Sequence, residues 1–192
     1  MSTKISSGLS LSSSYFMRNF YSENRNAAKK SGRSDYSKTE LSYEDSRALT
    51  RAVKKITSVD FGSDKDEKDS DINDSARASI QAFVETYNNT MDTAKSSSDS
   101  NTSRYYRQLK KLTGKYADEL EDIGISIESN GKLSINDELL KTADNSKARK
   151  LLSGDSDFAK KTLTIAKKMN SAIRDDLFSQ ISSKKLHINI TL

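Results

Sequence analysis

The 192-residue sequence predicts a mainly α protein: an elongated helical bundle or coiled-coil-like rod with a small β-hairpin at about residues 123–135. Two observations point there. Apolar residues recur at three- and four-residue spacing along several stretches, the signature of amphipathic helices. One short stretch instead alternates apolar with polar residues on both sides of Asn130-Gly131, a dipeptide suited to the positive φ values of a type I′ turn. Composition sets the scale: 33% hydrophobic and 31% charged residues allow one modest domain and not two well-buried cores.

Residues 1–39 are polar and serine-rich, with seven Lys or Arg against Glu23 and Asp35, and read as a mostly disordered N-terminal region preceding a helical domain over 40–192. Tyr15, Phe16, Met17, Phe20 and Tyr21 interrupt it, either as a helical turn packed on its own domain or as a peptide that docks on a partner. Leu49, Ala52, Val53, Ile56 and Val59 predict an amphipathic helix over about 42–58. Residues 60–74 carry six Asp and Glu67 against Lys65 and Lys68, which predicts an exposed acidic linker. Its aspartates at 64, 66, 69 and 71 lack the glycine and terminal glutamate of a calcium loop.

Ala76, Ile80, Phe83, Val84, Tyr87, Met91 and Ala94 trace one stripe, predicting a helix over about 74–95 that ends at the serines 96–98. Tyr105, Leu109, Leu112, Tyr116, Leu120 and Ile123 form another, expected to return beside the preceding helix as an antiparallel pair. Ile123, Ile125 and Ile127 pair with Leu133 and Ile135 across the turn. Asn136 is placed to cap a new helix, with Asp137 and Glu138 in its first turn and Leu139, Leu140 and Ala143 on its buried side; that helix runs to about Leu152 and stops at Gly154. Asp155 or Asp157 then caps a last helix bearing Phe158, Thr162, Ile165, Ala166, Met169, Ile173, Leu177 and Ile181. Strict alternation over 186–192 predicts either a third strand on the hairpin or a mobile apolar tail.

Little here suits catalysis. Glu119 with Glu121, and Asp175 with Asp176, are sequence neighbours that point to different sides of a helix, and His187 is the sole histidine. Without cysteine there is no disulfide framework or thiol chemistry, and no glycine-rich phosphate loop or metal-spaced histidine pair is present. The expectation is a non-enzymatic protein with no cofactor and no metal. No apolar run approaches the roughly 18 residues of a membrane span, and the N-terminal segment lacks the apolar core of a secretory signal. The net charge of +5 concentrates on one helix, where Arg104, Arg107, Lys110, Lys111 and Lys115 occur with no acid between residues 101 and 117. These residues, with Tyr105 and Tyr106 beside them, suit either an acidic protein surface or nucleic acid, although Tyr105 falls on the apolar stripe.

Two segments carry a family resemblance. Residues Leu120 to Leu140 read L-x-D-I-G-I-x-I-x-x-x-G-K-L-S-I-x-x-x-x-L, and Phe83, Val84, Tyr87 and Asn88 read F-V-x-x-Y-N upstream. In this order and spacing they resemble the C-terminal part of the flagellar filament cap family, hook-associated protein 2, over about residues 76–152. The resemblance implies packing and turn roles for Phe83, Val84, Tyr87, Asn88, Leu120, Ile123, Gly124, Ile125, Ile127, Gly131, Leu133, Ile135 and Leu140. It also implies self-association, docking on flagellin-like or other axial proteins, and an extracellular location reached by flagellar export. The large β-rich domains of that family have no counterpart of their size here. The alternatives are a cytoplasmic helical adaptor and a nucleic-acid binder using residues 104–115.

Overall fold

Amphipathic stripes need a common core to bury them, and the chain supplies it from several helices and a hairpin. A computed structural model describes residues 37–61, 71–95, 97 and 99–185. In chain order these form α1 (Lys38–Ile56), α2 (Asp74–Lys95), α3 (Ser100–Lys115), α4 (Ala117–Glu121), β1 (Ile125–Ile127), β2 (Leu133–Ile135), α5 (Asp137–Lys141), α6 (Asn145–Leu152) and α7 (Asp157–Lys185). The fold is therefore mainly α with a small two-stranded antiparallel sheet.

Local chemistry places the helix starts. Ser37 and Glu40 form a reciprocal capping box on α1, so the helical domain begins slightly before residue 40. Asn73 accepts from the Ala76 amide at the head of α2, and Asp99 from the Thr102 amide at the head of α3. Asn136 caps α5 as expected, taking the amides of Glu138 and Leu139. The helix expected from there to Leu152 is two helices, because Asp144 accepts from the Ser146 amide and starts α6 afresh. Ser156, rather than Asp155 or Asp157, caps α7: its Oγ takes the amides of Phe158 and Ala159. The stripe from Tyr105 to Ile123 also breaks, at Tyr116 between α3 and α4.

The long helices assemble differently from the expected pair. α1 packs most extensively on α2 and α7, and α3 packs mainly on α7, so the last helix lies between α1 and α3 while α2 and α3 meet less. Leu49, Val53, Ile56, Ile80, Phe83, Met91, Leu109, Leu120, Phe158, Ala166 and Met169 are all buried in one continuous core. Each large side chain contributes roughly 1.5 to 3 kcal/mol before chain entropy is subtracted. Phe158 joins the layers, its ring edge-on to Phe83 at 6.2 Å and tilted against Tyr116 at 5.3 Å. Polar bonds add register: Thr90 on α2 donates to the Asp45 carbonyl on α1, and Asn170 on α7 donates to the Tyr43 carbonyl and Ser46 hydroxyl.

Three expectations change at the edges of these elements. The ends of the acidic segment are packed, with Phe61 and Ile72 buried in the core and Asp71 bridged to Asp144, so 60–74 is not exposed throughout. Leu139 is 54% exposed, whereas Leu140 and Ala143 are buried, because neighbouring helical residues point about 100° apart and Leu140 takes the inward direction. Ile123 lies in the turn before β1 instead of in the strand. The aromatic cluster at 15–21, the aspartates at 64, 66 and 69, His187 and the alternating segment 186–192 lie outside the described residues.

The hairpin pairs Ile125 with Ile135, Ser126 with Ser134 and Ile127 with Leu133. Its turn is not type I′. The Gly131 N–H donates to Glu128 O and the Glu128 N–H to Lys132 O, each at 2.8 Å, so Ser129, Asn130 and Gly131 make a three-residue loop. No described residue other than glycine has a positive φ; Gly131 sits at +88°. This loop asks for one left-handed residue instead of two and gives that position to glycine, sparing Asn130 the strain. Gly124, at φ +77°, is tighter: a Cβ there would stand 2.8 Å from the Leu140 nitrogen and 3.1 Å from Asn136 O. At Gly131 it would meet only the flexible Lys110 chain at 3.1 Å. Gly124→Ala should therefore lower unfolding free energy by about 3 kcal/mol and Gly131→Ala by about 1 to 2 kcal/mol. Urea denaturation reads both; equal or reversed costs would contradict this packing of the hairpin on α5.

Candidate functional site

One face of α2 reads the hairpin. Asn88 stands beside Leu133 and makes both bonds that a neighbouring strand would make: its Nδ2 donates to Leu133 O at 2.7 Å, and its Oδ1 accepts from the Leu133 N–H at 2.8 Å. One turn further, Asp92 pairs with Lys132 at 2.7 Å, and two turns earlier Gln81 donates to Asp137 at 3.1 Å. The three positions fall on one stripe of the helix, so a single rigid element holds residues 132–137.

Tyr87 fixes the turn from inside. Its hydroxyl donates to Gly131 O at 3.3 Å and lies 3.1 Å from Thr113 Oγ1 on α3, tying α2, α3 and the hairpin tip together. Burial pushes the phenol up to about 12, against the smaller opposing effect of the Thr113 bond. Phe83 and Val84 are buried one turn below, and Leu120, Ile123, Gly124, Ile125, Gly131, Leu133 and Leu140 are buried at the other side of the contact. Ile127 and Ile135 are partly buried and packed against the same core. The two segments that carry the family resemblance thus meet directly. The sequence spacing did not reveal Thr113, Gln81 or Asp92, whose partners lie far along the chain.

The basic residues of α3 follow different fates. Arg104, Arg107, Lys110, Lys111 and Lys115 are all exposed. The Arg104 guanidinium lies 4.9 Å from the Tyr105 ring centroid and donates to that phenol, and the Lys115 ammonium lies 5.6 Å from the Tyr116 ring. Lys110 covers Gly131 with its methylenes. Tyr105 is buried, so its ring is not presented for base stacking, while Tyr106 is partly exposed. Among the described residues no helix is long and apolar enough to cross a membrane.

Asn88→Ala should cost about 2 to 3 kcal/mol in chemical denaturation, since it removes two bonds and strips the partner from both backbone groups of Leu133; a loss under about 0.5 kcal/mol would show the clamp to be incidental. Tyr87 makes a pH prediction. Its folded-state value lies above the ordinary 10.0, so its stabilisation is complete below pH 10 and is lost as pH rises through about 12. Between those values the wild type should lose on the order of 2 kcal/mol more than Tyr87→Phe, read by denaturation at each pH. Parallel losses in the two proteins would contradict a buried, neutral phenol. Compared with known proteins, the chain matches no protein-family model, no curated protein and no solved structure.

Proposed function

We propose that this chain is a non-enzymatic structural protein related to the hook-associated protein 2 family, acting by self-association and by docking on axial proteins such as flagellin, and leaving the cell by flagellar export. The observation that carries this reading is the Asn88 clamp on Leu133. The F-V-x-x-Y-N helix and the hairpin lie 45 residues apart at that contact, yet Tyr87 and Asn88, the two polar members of the first motif, bind backbone groups of the second. A chance pair of matches has no reason to be coupled in this way. The residues involved are engaged in bonds that position backbone, which suits a scaffold whose activity is contact and assembly.

Export separates this reading from a cytoplasmic adaptor. The chain should appear in the medium or on the surface of cells with a working flagellar exporter and remain inside otherwise identical cells lacking it, with a cytosolic marker scored for lysis. Retention in both strains would overturn the proposal.

A further inference from the structure

Away from the hairpin contact, a groove of about 790 Å³ lies between α3 and α7. The two helices run antiparallel here: Lys115 and Asp157 line the same groove, while Asp99 and Asp175 share the depression at the opposite end. Lys111 and Lys115 rise from α3, and Lys160, Lys161 and Lys168 from α7. Asp157 is the sole acid in the lining and is already paired with Lys161 at 3.0 Å. Between the lysine rows the partly exposed Ile165 and the largely buried Leu112 are the apolar side chains of the lining, extended by the aliphatic stems of the lysines beside them.

We infer that this groove is a docking site for an acidic amphipathic helix of a partner protein, whose apolar row rests over Leu112 and Ile165 while flanking carboxylates meet the lysines of both rims. The charge balance decides the sign of the partner: five lysines against Asp157 leave a net +4 along one open groove, and a row of carboxylates relieves the repulsion among the lysines other than Lys161. The apolar walls decide its kind. A phosphate backbone has nothing to fill them, and neither an arginine fork nor an aromatic ring lines the groove for nucleic acid to use. A helix with apolar residues at three- and four-residue spacing fills such walls and carries acids on both flanks. Length agrees: Asp157 to Lys168 spans roughly 16 Å of α7, room for about three turns of a bound helix.

This inference stands apart from the flagellar reading, which fails or survives on export, whereas the groove fails or survives on binding by the purified full chain. The probe is a labelled synthetic peptide of about 16 residues with leucines at helical spacing flanked by glutamates, followed by fluorescence anisotropy. Comparators are a scrambled peptide of the same composition and a random duplex DNA in the same buffer. The patterned peptide should bind with a Kd in the range of about 1 to 100 μM and at least about fivefold more tightly than the scrambled one. Reversing two exposed rim charges, Lys111→Glu with Lys168→Glu, should weaken it about tenfold or more, while Lys54→Glu on α1 should change it less than about twofold. Equal binding of patterned and scrambled peptides by the unaltered chain would overturn the proposal. So would tighter binding of the duplex, or rim reversals without effect in variants that keep their helical circular dichroism.

Discussion

Asn88 on α2 clamps both backbone groups of Leu133 and, with Tyr87 and Asp92 on the same helix, joins the helical and β parts of this protein. Strands of three residues form a sheet too small to stand alone in water, and their outer edges leave backbone groups without partners. Asn88 supplies what a third strand would: a donor and an acceptor at the spacing of a peptide unit, presented to Leu133 from a helix that is itself locked in the core. Tyr87, the preceding residue, reaches the carbonyl at the tip of the turn and the α3 hydroxyl. The hairpin is thereby a fixed extension of α2.

Rigidity at that junction organises what lies around it. α2 also packs on α1, where Thr90 donates to the Asp45 carbonyl, and α1 is tied to α7 through Asn170. Phe158 at the start of α7 touches both Phe83 and Tyr116, so the position of α7 beside α3 is set by the same aromatic layer that underlies the hairpin. The lysine-lined groove exists because those two helices are held side by side with their apolar rows turned inward and their charged rows left at the surface. Surface chemistry in this chain is therefore a consequence of core packing.

Much of the fold was legible in the residues, and the limits have physical causes. α2 was readable almost to its ends because 22 residues give a clean 3.6-residue stripe, and the Asn136 cap because a side-chain oxygen at a helix start has a local job. Periodicity tells which face is buried but not against what, so α3 was paired with α2 when its main partner is α7. Phe61 and Ile72 are single apolar residues among acids; burial of such a residue leaves no periodic trace, and the segment read as exposed. Asn130-Gly131 marked the turn correctly and its type wrongly, because the chain had room to place all the left-handed strain on glycine. For the candidate site, the matching positions were readable as a list, but the Asn88–Leu133 contact was not. The groove escaped notice because its two lysine rows lie about 50 residues apart in the chain, and only α3 stood out as basic.

The most direct test of Asn88 as the joint between helix and hairpin is native-state hydrogen exchange at the Leu133 amide. That amide donates to a side chain, Asn88 Oδ1, instead of to a neighbouring strand. If the clamp holds as described, the Leu133 N–H exchanges only with the free energy of global unfolding, alongside the core amides of α2, and shifts to fast local exchange in Asn88→Ala. Fast local opening at Leu133 in the unaltered protein, with α2 still protected, would contradict it: the hairpin would then be a loosely attached appendage.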